Sequence, residues 1–121
     1  MRSLAKQAMQ DDIHDDGVVY LTYVQADGAE TYSMSVYETT ILISAGHTSN
    51  TLTLTLPPVS KAKGKLYSIR QVLVTGSGIT TLEDLGDDAA FTSLSLDETA
   101  DHVLLYSDGY QWIAVFNNLS A

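Results

Sequence analysis

What this 121-residue chain lacks already excludes several classes of protein. It has no cysteine, so neither a disulfide framework nor a thiolate metal site can form. Its apolar runs, such as Val103–Tyr106, are far shorter than the roughly twenty residues that a membrane-spanning helix needs. The first residues include Arg2 and Lys6 but no apolar segment of the kind found in secretory signals. We therefore expect no membrane partner and a fold that depends on its own hydrophobic core.

Basic residues are also scarce, because six lysines and arginines stand against fifteen acidic residues, for a formal net charge of −9. Phosphates repel so acidic a surface, which argues against nucleic acid as a partner. The excess charge can serve solubility alone, through self-repulsion. Alternatively, the few cations are reserved for a protein partner, since one predicted loop holds Lys61, Lys63 and Lys65 while Arg2 and Lys6 lie at the N-terminus.

Residues 1–16 differ in composition from everything that follows. Ser3–Gln10 contains good helix formers and no β-branched residue, and Leu4 and Met9 belong to its apolar set. Two helical turns are marginal in water, however, and Asp11–Asp16 is too charged to pack. We predict an N-terminal arm over residues 1–16 that becomes ordered when it binds a partner, the alternative being a frayed terminus.

Residues 17–121 are predicted to form a single β domain. Thr51–Leu56 alternates strictly between threonine and leucine, which is the period of a half-buried strand. Lys65–Thr75 is predicted as another strand, and Thr31–Ser44 as one long strand that bends near Glu38. About eight short strands without a helical period predict an all-β fold, as a compact antiparallel sandwich or small barrel. No fixed-period repeat is visible, which argues against a solenoid.

The acidic residues and the histidines are the candidates for a metal site. With Asp12 as the first ligand of an EF-hand, the twelfth position is not the bidentate glutamate that the motif requires. A different calcium site, there or in Glu83–Asp88, is the alternative to a solvated acidic loop. The histidines lack the spacing of zinc ligands: His14, His47 and His102. We predict no metal and no cofactor.

Catalytic residues are not expected either. Gly76-Ser77-Gly78 is not a nucleophile elbow, because the pattern around its serine differs and no predicted helix follows. The acidic pairs lie in charged loops, where carboxylates are normally solvated rather than paired across a glycoside. No set of residues supplies a base, a group to orient it and an oxyanion site together. The protein is therefore predicted not to be an enzyme, and a carbohydrate hydrolase is the least favoured function.

The aromatic residues admit two interpretations. Seven tyrosines and one tryptophan could form a sugar-binding platform, but in strands such residues usually lie in the core or in cross-strand pairs. In the last predicted strand, alternation groups Tyr110, Trp112, Ala114 and Phe116 on one face. Both faces of that strand are largely apolar, so we predict that the core covers one and a partner subunit the other.

Three short motifs carry a resemblance to a known group of proteins: Leu56-Pro57-Pro58, Gly64–Ile69 with the pattern G-x-x-Y-x-I, and Ser107–Trp112 with the pattern S-D-G-x-x-W. Together they resemble small β modules of tailed-bacteriophage virions, which are capsid decoration (cement) proteins and distal modules of head and tail fibres. The resemblance covers the chain from about Thr51 onward, and its motifs are structural rather than catalytic. It implies a homotrimer and a tryptophan that packs inward beside the Asp108-Gly109 hairpin.

The predicted function is accordingly that of a bacteriophage head decoration protein, which binds the outer capsid surface as a homotrimer and stabilises the shell. Its partners would be the major capsid protein and its own copies, on the outside of a virion assembled in the host cytoplasm. The candidate capsid-binding residues are Arg2, Leu4, Lys6, Met9, Lys61, Lys63 and Lys65. The alternative is a fibre or receptor-binding module that recognises a host surface glycan or protein, because both groups share these motifs.

Overall fold

The computed structural model describes residues 17–24, 30–46, 51–75 and 79–119. These residues form nine strands: β1 Val18–Val24, β2 Glu30–Ser33, β3 Thr40–Gly46, β4 Thr51–Thr55, β5 Leu66–Thr75, β6 Ile79–Glu83, β7 Leu94–Leu96, β8 His102–Ser107 and β9 Trp112–Asn118. The described ranges contain no helix, and hence none that could cross a membrane. The predicted all-β class is confirmed.

The strands form two sheets, one of five strands in the order β1-β3-β5-β8-β9 and one of four in the order β2-β4-β6-β7. Successive strands from β1 to β6 alternate between the sheets, and their neighbours within each sheet are parallel. The chain therefore winds like a flattened solenoid before β7, β8 and β9 add antiparallel strands. The expected antiparallel pairing is corrected for the first six strands, because alternating polarity indicates one wet face without indicating strand direction.

The solenoid has no fixed period, which explains why the expectation against it was wrong. Val18 pairs with Thr40, a step of 22 residues (18 to 40), and Thr40 pairs with Ser68, a step of 28 (40 to 68). The same two steps separate the paired strands of the four-stranded sheet. The longer coil contains the connection 56–65, whereas the shorter one turns through 34–39. Repeats of unequal length leave no periodic signal in the sequence.

The core lies between the sheets and is built from the inward half of each alternating strand. In β4 the leucines point inward and the threonines outward, as the Thr51–Leu56 pattern predicted. The predicted long strand Thr31–Ser44 is instead two strands in opposite sheets, joined by a turn in which buried Glu38 accepts hydrogen bonds from the Tyr32 hydroxyl (2.8 Å) and the Ser35 amide (2.9 Å). A buried carboxylate inside that turn reverses the chain where a simple bend was expected.

A bulge between β8 and β9 corrects the alternation predicted for the last strand, and a second bulge lies between β3 and β5. Between β8 and β9 the register shifts so that Leu105 pairs with Ala114 and Leu104 with Phe116, leaving Val115 as the extra residue. Phe116 thus does not share a face with Trp112, contrary to the prediction, and its side chain is exposed.

Candidate functional site

The loop that follows the double proline is tied to the Asp108-Gly109 hairpin. The Ser107 hydroxyl donates to the Val59 carbonyl at 2.6 Å, and the Gly64 amide donates to the Ser107 carbonyl at 2.8 Å. The Gly109 amide donates to the Ser107 hydroxyl at 3.1 Å. Two of the motifs behind the resemblance are therefore held together by one buried serine.

The same two motifs, Gly64–Ile69 and Ser107–Trp112, also meet through their aromatic residues. The rings of Tyr67 and Trp112 meet edge to face, with centroids 5.5 Å apart at 73°. Trp112 is buried, which confirms the prediction that it packs inward. Its indole Nε1 has no acceptor among the described residues. Burial raises the pKa of Tyr67 to about 12, and its hydroxyl donates to the Val36 carbonyl at 2.9 Å.

The acidic segment Glu83–Asp88 was predicted as a solvated loop, and its aspartates instead bind backbone amides. Buried Asp88 accepts from the amides of Trp112 (2.7 Å) and Ala90 (2.9 Å), and Asp87 accepts from the Val59 amide (2.9 Å). The only sequence signal was local, because aspartate often caps a turn two residues on, as Asp88 does for Ala90. Its second bond, 24 positions along the chain, had no sequence signal.

Three of the candidate capsid-binding residues lie in one rigid loop, which we name the lysine loop (residues 56–65). The Pro58 carbonyl accepts from the amides of Lys61 (3.1 Å) and Ala62 (3.0 Å), and Ala62 is fully buried beneath the turn. Lys61 and Lys63 are exposed, while Lys65 is half-buried with its Nζ 5.8 Å from the centre of the Tyr37 ring. The loop thus presents ammonium groups from a fixed backbone.

The hairpin beside the lysine loop carries one acid. Asp108 accepts from the amides of Tyr110 (2.8 Å) and Gln111 (2.7 Å), and these bonds, with a smaller contribution from Lys63, lower the pKa of its carboxyl group. Gly109 has a φ of +97°, which favours glycine, and a β-carbon there would lie only 3.0 Å from the Lys63 side chain. Lys63 and the hairpin tip form one joined surface.

A second exposed surface is the outer face of the five-stranded sheet. One row across it consists of Leu66, Tyr106 and Ile113, and the next includes Leu104 and Phe116. Leu66 is 50% exposed, Ile113 41% and Phe116 53%. None of the five strands of this sheet contains an aspartate or glutamate. On a chain with a net charge of −9, these two rows are mostly apolar, and no strand of the sheet supplies an acid.

The remaining candidates fall outside what the structure describes: the arm 1–16 with Arg2, Leu4, Lys6 and Met9, together with His14, His47 and Gly76–Gly78. Within the described ranges, no group of three or more histidine, aspartate or glutamate side chains could hold a metal ion. His102 instead has its Nδ1 2.9 Å from the Ala100 carbonyl oxygen and its ring 5.3 Å from that of Phe116. This histidine is an ordinary strand residue at the edge of the apolar face.

Comparisons of the chain with family models, with curated proteins and with solved structures find no match. Its function must therefore be argued from its own surfaces.

Proposed function

We propose that this protein is a bacteriophage head decoration protein that binds the outer surface of the capsid as a homotrimer and stabilises the shell. The observation that carries the proposal is the lysine loop, which fixes three of the six basic residues of an acidic chain in one place. A rigid loop loses little conformational entropy on binding, so its charges are suited to recognition.

The three motifs of the resemblance support the same proposal. Ser107, Tyr67 and Trp112 join two of them into one packed cluster, and the Ser107 hydroxyl also binds Val59, the residue after the double proline, at the start of the lysine loop. The motifs thus act as a scaffold for a binding surface, in accord with a protein that works by binding rather than by chemistry. In a trimer, three such loops would bind the shell together, which raises avidity without new contacts.

The N-terminal arm supplies the second proposed contact with the shell. Arg2 and Lys6 add two more basic residues, and Leu4 and Met9 add apolar side chains. A segment that orders on binding pays its ordering cost at that moment but can cover a large surface. We propose that the arm grips a neighbouring capsid subunit while the lysine loop positions the domain.

The test is binding to purified heads of the phage that encodes this chain, stripped of the endogenous protein. The double variant Lys61→Gln, Lys63→Gln should lose most cosedimentation with heads. Its matched control, Thr31→Glu with Thr92→Glu, lowers the net charge equally at exposed positions outside the loop and should bind normally. Failure of the wild-type protein to bind heads, or equal loss by both variants, would overturn the proposal.

Two exposed aromatic residues favour a second candidate function, a fibre or receptor-binding module. Tyr37 is 75% exposed and Tyr110 is 79% exposed, and both flank the lysine loop, through Lys65 and the hairpin respectively. Aromatic faces suit carbohydrate CH groups and protein hot spots. If this candidate is correct, the wild-type protein should bind host cells rather than heads, and Tyr37→Ser with Tyr110→Ser should abolish that binding.

A further inference from the structure

We propose that the contact between copies of this chain is formed by the β9 patch, which consists of Leu66, Tyr106, Ile113, Val115 and Phe116. This inference deepens the proposed function, on which the expectation of self-association rests. The resemblance implies a homotrimer, and the sequence predicts a partner on one face of the last strand; this inference names the residues of the five-stranded sheet that form the contact.

The first argument is the free edge of β9. This strand pairs with β8 alone, and six of its seven residues are exposed. It contains no charged residue and no proline, which are two of the devices that protect an edge strand from pairing with another chain. Its one irregularity is the bulge that turns Phe116 outward onto the apolar face.

The second argument is electrostatic. Two copies with a net charge of −9 each repel, so an acid-free surface is where their association costs least electrostatic energy. Within the described ranges, every acid lies in the four-stranded sheet or in a connection, and none lies in the five-stranded sheet. The row beyond the patch contains Arg70 and His102, which end the uncharged area on that side.

The other three edge strands are less suited to pairing with a second copy. β2 begins with Glu30, and β7 is only three residues long. β1 is apolar, but Asp15 and Asp16 precede it in the chain. β1 matches β9 in length and lack of charge, but among the described side chains its exposed large apolar residue is Tyr20, whereas β9 presents Ile113, Val115 and Phe116. A second copy is therefore the occupant that fits the β9 patch.

The test measures oligomeric state by sedimentation of the full chain. Wild-type protein should be oligomeric, and Ile113→Lys with Phe116→Lys should raise its dissociation constant by at least about tenfold, or leave a monomer. The matched control, Thr31→Lys with Thr53→Lys, adds the same charge to the outer face of the other sheet and should stay oligomeric. Fluorescence of the single tryptophan, Trp112, reports whether each variant is folded.

A second measurement covers the case in which the lysine variant fails to fold. Because the chain has no cysteine, Phe116→Cys introduces a unique thiol, which a short bifunctional maleimide should cross-link between copies. Thr31→Cys should not cross-link. A monomeric wild type, a folded lysine variant that stays oligomeric, or equal cross-linking at both positions would overturn the inference.

The failure of this inference is distinguishable from failure of the proposed function. The variant Lys61→Gln with Lys63→Gln should remain oligomeric while losing its binding to heads. Wild-type protein that binds heads as a monomer would refute the β9 contact and the trimer, yet retain capsid binding. A protein that is oligomeric through β9 but does not bind heads would refute capsid binding and retain the β9 contact.

Discussion

The outer faces of the two sheets differ in polarity, although their inner faces both pack into the shared core. Both sheets turn fully buried aliphatic side chains toward a shared core, Ile41 and Ile43 in one and Leu52 and Leu54 in the other. Outside, the four-stranded sheet presents hydroxyl groups in register across all its strands: Thr31, Thr53, Thr81 and Ser95. The five-stranded sheet presents there the apolar rows that include Leu66, Ile113 and Phe116. The inner faces thus specify the fold, and the outer faces specify what the fold can bind.

The threonine rows show how a strand can stay stable without becoming adhesive. Threonine is β-branched, so it keeps the conformational preference of valine for an extended backbone, but its hydroxyl stays hydrated. Glu30 and Glu83 add negative charge to the same sheet. This face is therefore suited to solvent, and the apolar face of the other sheet is suited to a partner.

Truncating the core should have the largest effect, and it tests whether both sheets depend equally on the shared interior. Trp112→Ala in one sheet and Leu54→Ala in the other should each lower the free energy of unfolding, by about 3–5 and 2–5 kcal/mol respectively. Chemical denaturation measures both. Trp112→Phe is the control, because it keeps a ring against Tyr67 while removing an indole N–H that has no acceptor among the described residues. A Trp112→Ala protein of unchanged stability that has lost only host binding would make Trp112 a recognition residue.

The next largest effect is expected at the start of β1. Gly17 has a φ of +84°, and a β-carbon there would lie 2.6 Å from the Tyr37 carbonyl oxygen. Gly17→Ala should therefore cost about 3 kcal/mol or more, through backbone strain and overpacking together. Gly64 has a φ of +82° in open space, so Gly64→Ala should cost only about 1–2 kcal/mol. Equal thermal melting of the two variants would contradict this reading.

A third experiment removes the difference between the outer faces. Thr31→Ile, Thr53→Ile and Thr81→Ile together would give the four-stranded sheet an apolar row like that of its neighbour. Each change should alter monomer stability by less than about 0.5 kcal/mol, because the positions are on the surface. Light scattering should nevertheless show assemblies larger than the wild-type species. The triple serine variant, which keeps the hydroxyl groups, should scatter like wild type; if the isoleucine variant does too, outer-face polarity is not what governs association.

The smallest effects concern two aspartates with opposite pH dependence. Burial, and then the neighbouring Asp101, raise the pKa of Asp97 above its ordinary value. Its contribution to stability is therefore present at low pH and lost as pH rises through the raised pKa. Asp97→Asn should melt at a higher temperature than wild type at neutral pH, and this advantage should disappear in acid.

Asp108 should show the reverse, because backbone amides lower the pKa of its carboxyl group. Its contribution is present above the ordinary pKa of aspartate and lost as pH falls through the lowered one. Asp108→Asn should therefore melt below wild type at neutral pH and converge with it in acid. Thermal melts of both variants across the acid range provide the measurement; two differences of the same sign would contradict the assignment.

Much of the fold was predictable, although the candidate site was less so. The strands at Thr51–Thr55, Leu66–Thr75 and His102–Ser107 follow from local alternation and turn chemistry, whereas the inward position of Trp112 was implied by the resemblance. The lysine loop was visible as a cluster of charge, but its rigidity was not, because it depends on Ser107, more than forty residues away. The sequence predicted a partner on one apolar face of the last strand, but the Val115 bulge, which inverts the alternation, hid that Phe116 belongs to the outer face.

By itself, the sequence determined that this protein is all-β, that its strands have one dry face, and that its net charge of −9 leaves few cations for any partner. These properties are local, since they depend on side-chain period, turn residues and composition. Only the tertiary structure decided that the first six strands pair in parallel through unequal coils, and that Asp88 is buried against β9. The physical reason is that a period of two fits either strand direction equally well, so the choice of neighbour depends on connections and long-range hydrogen bonds that no short stretch of sequence contains.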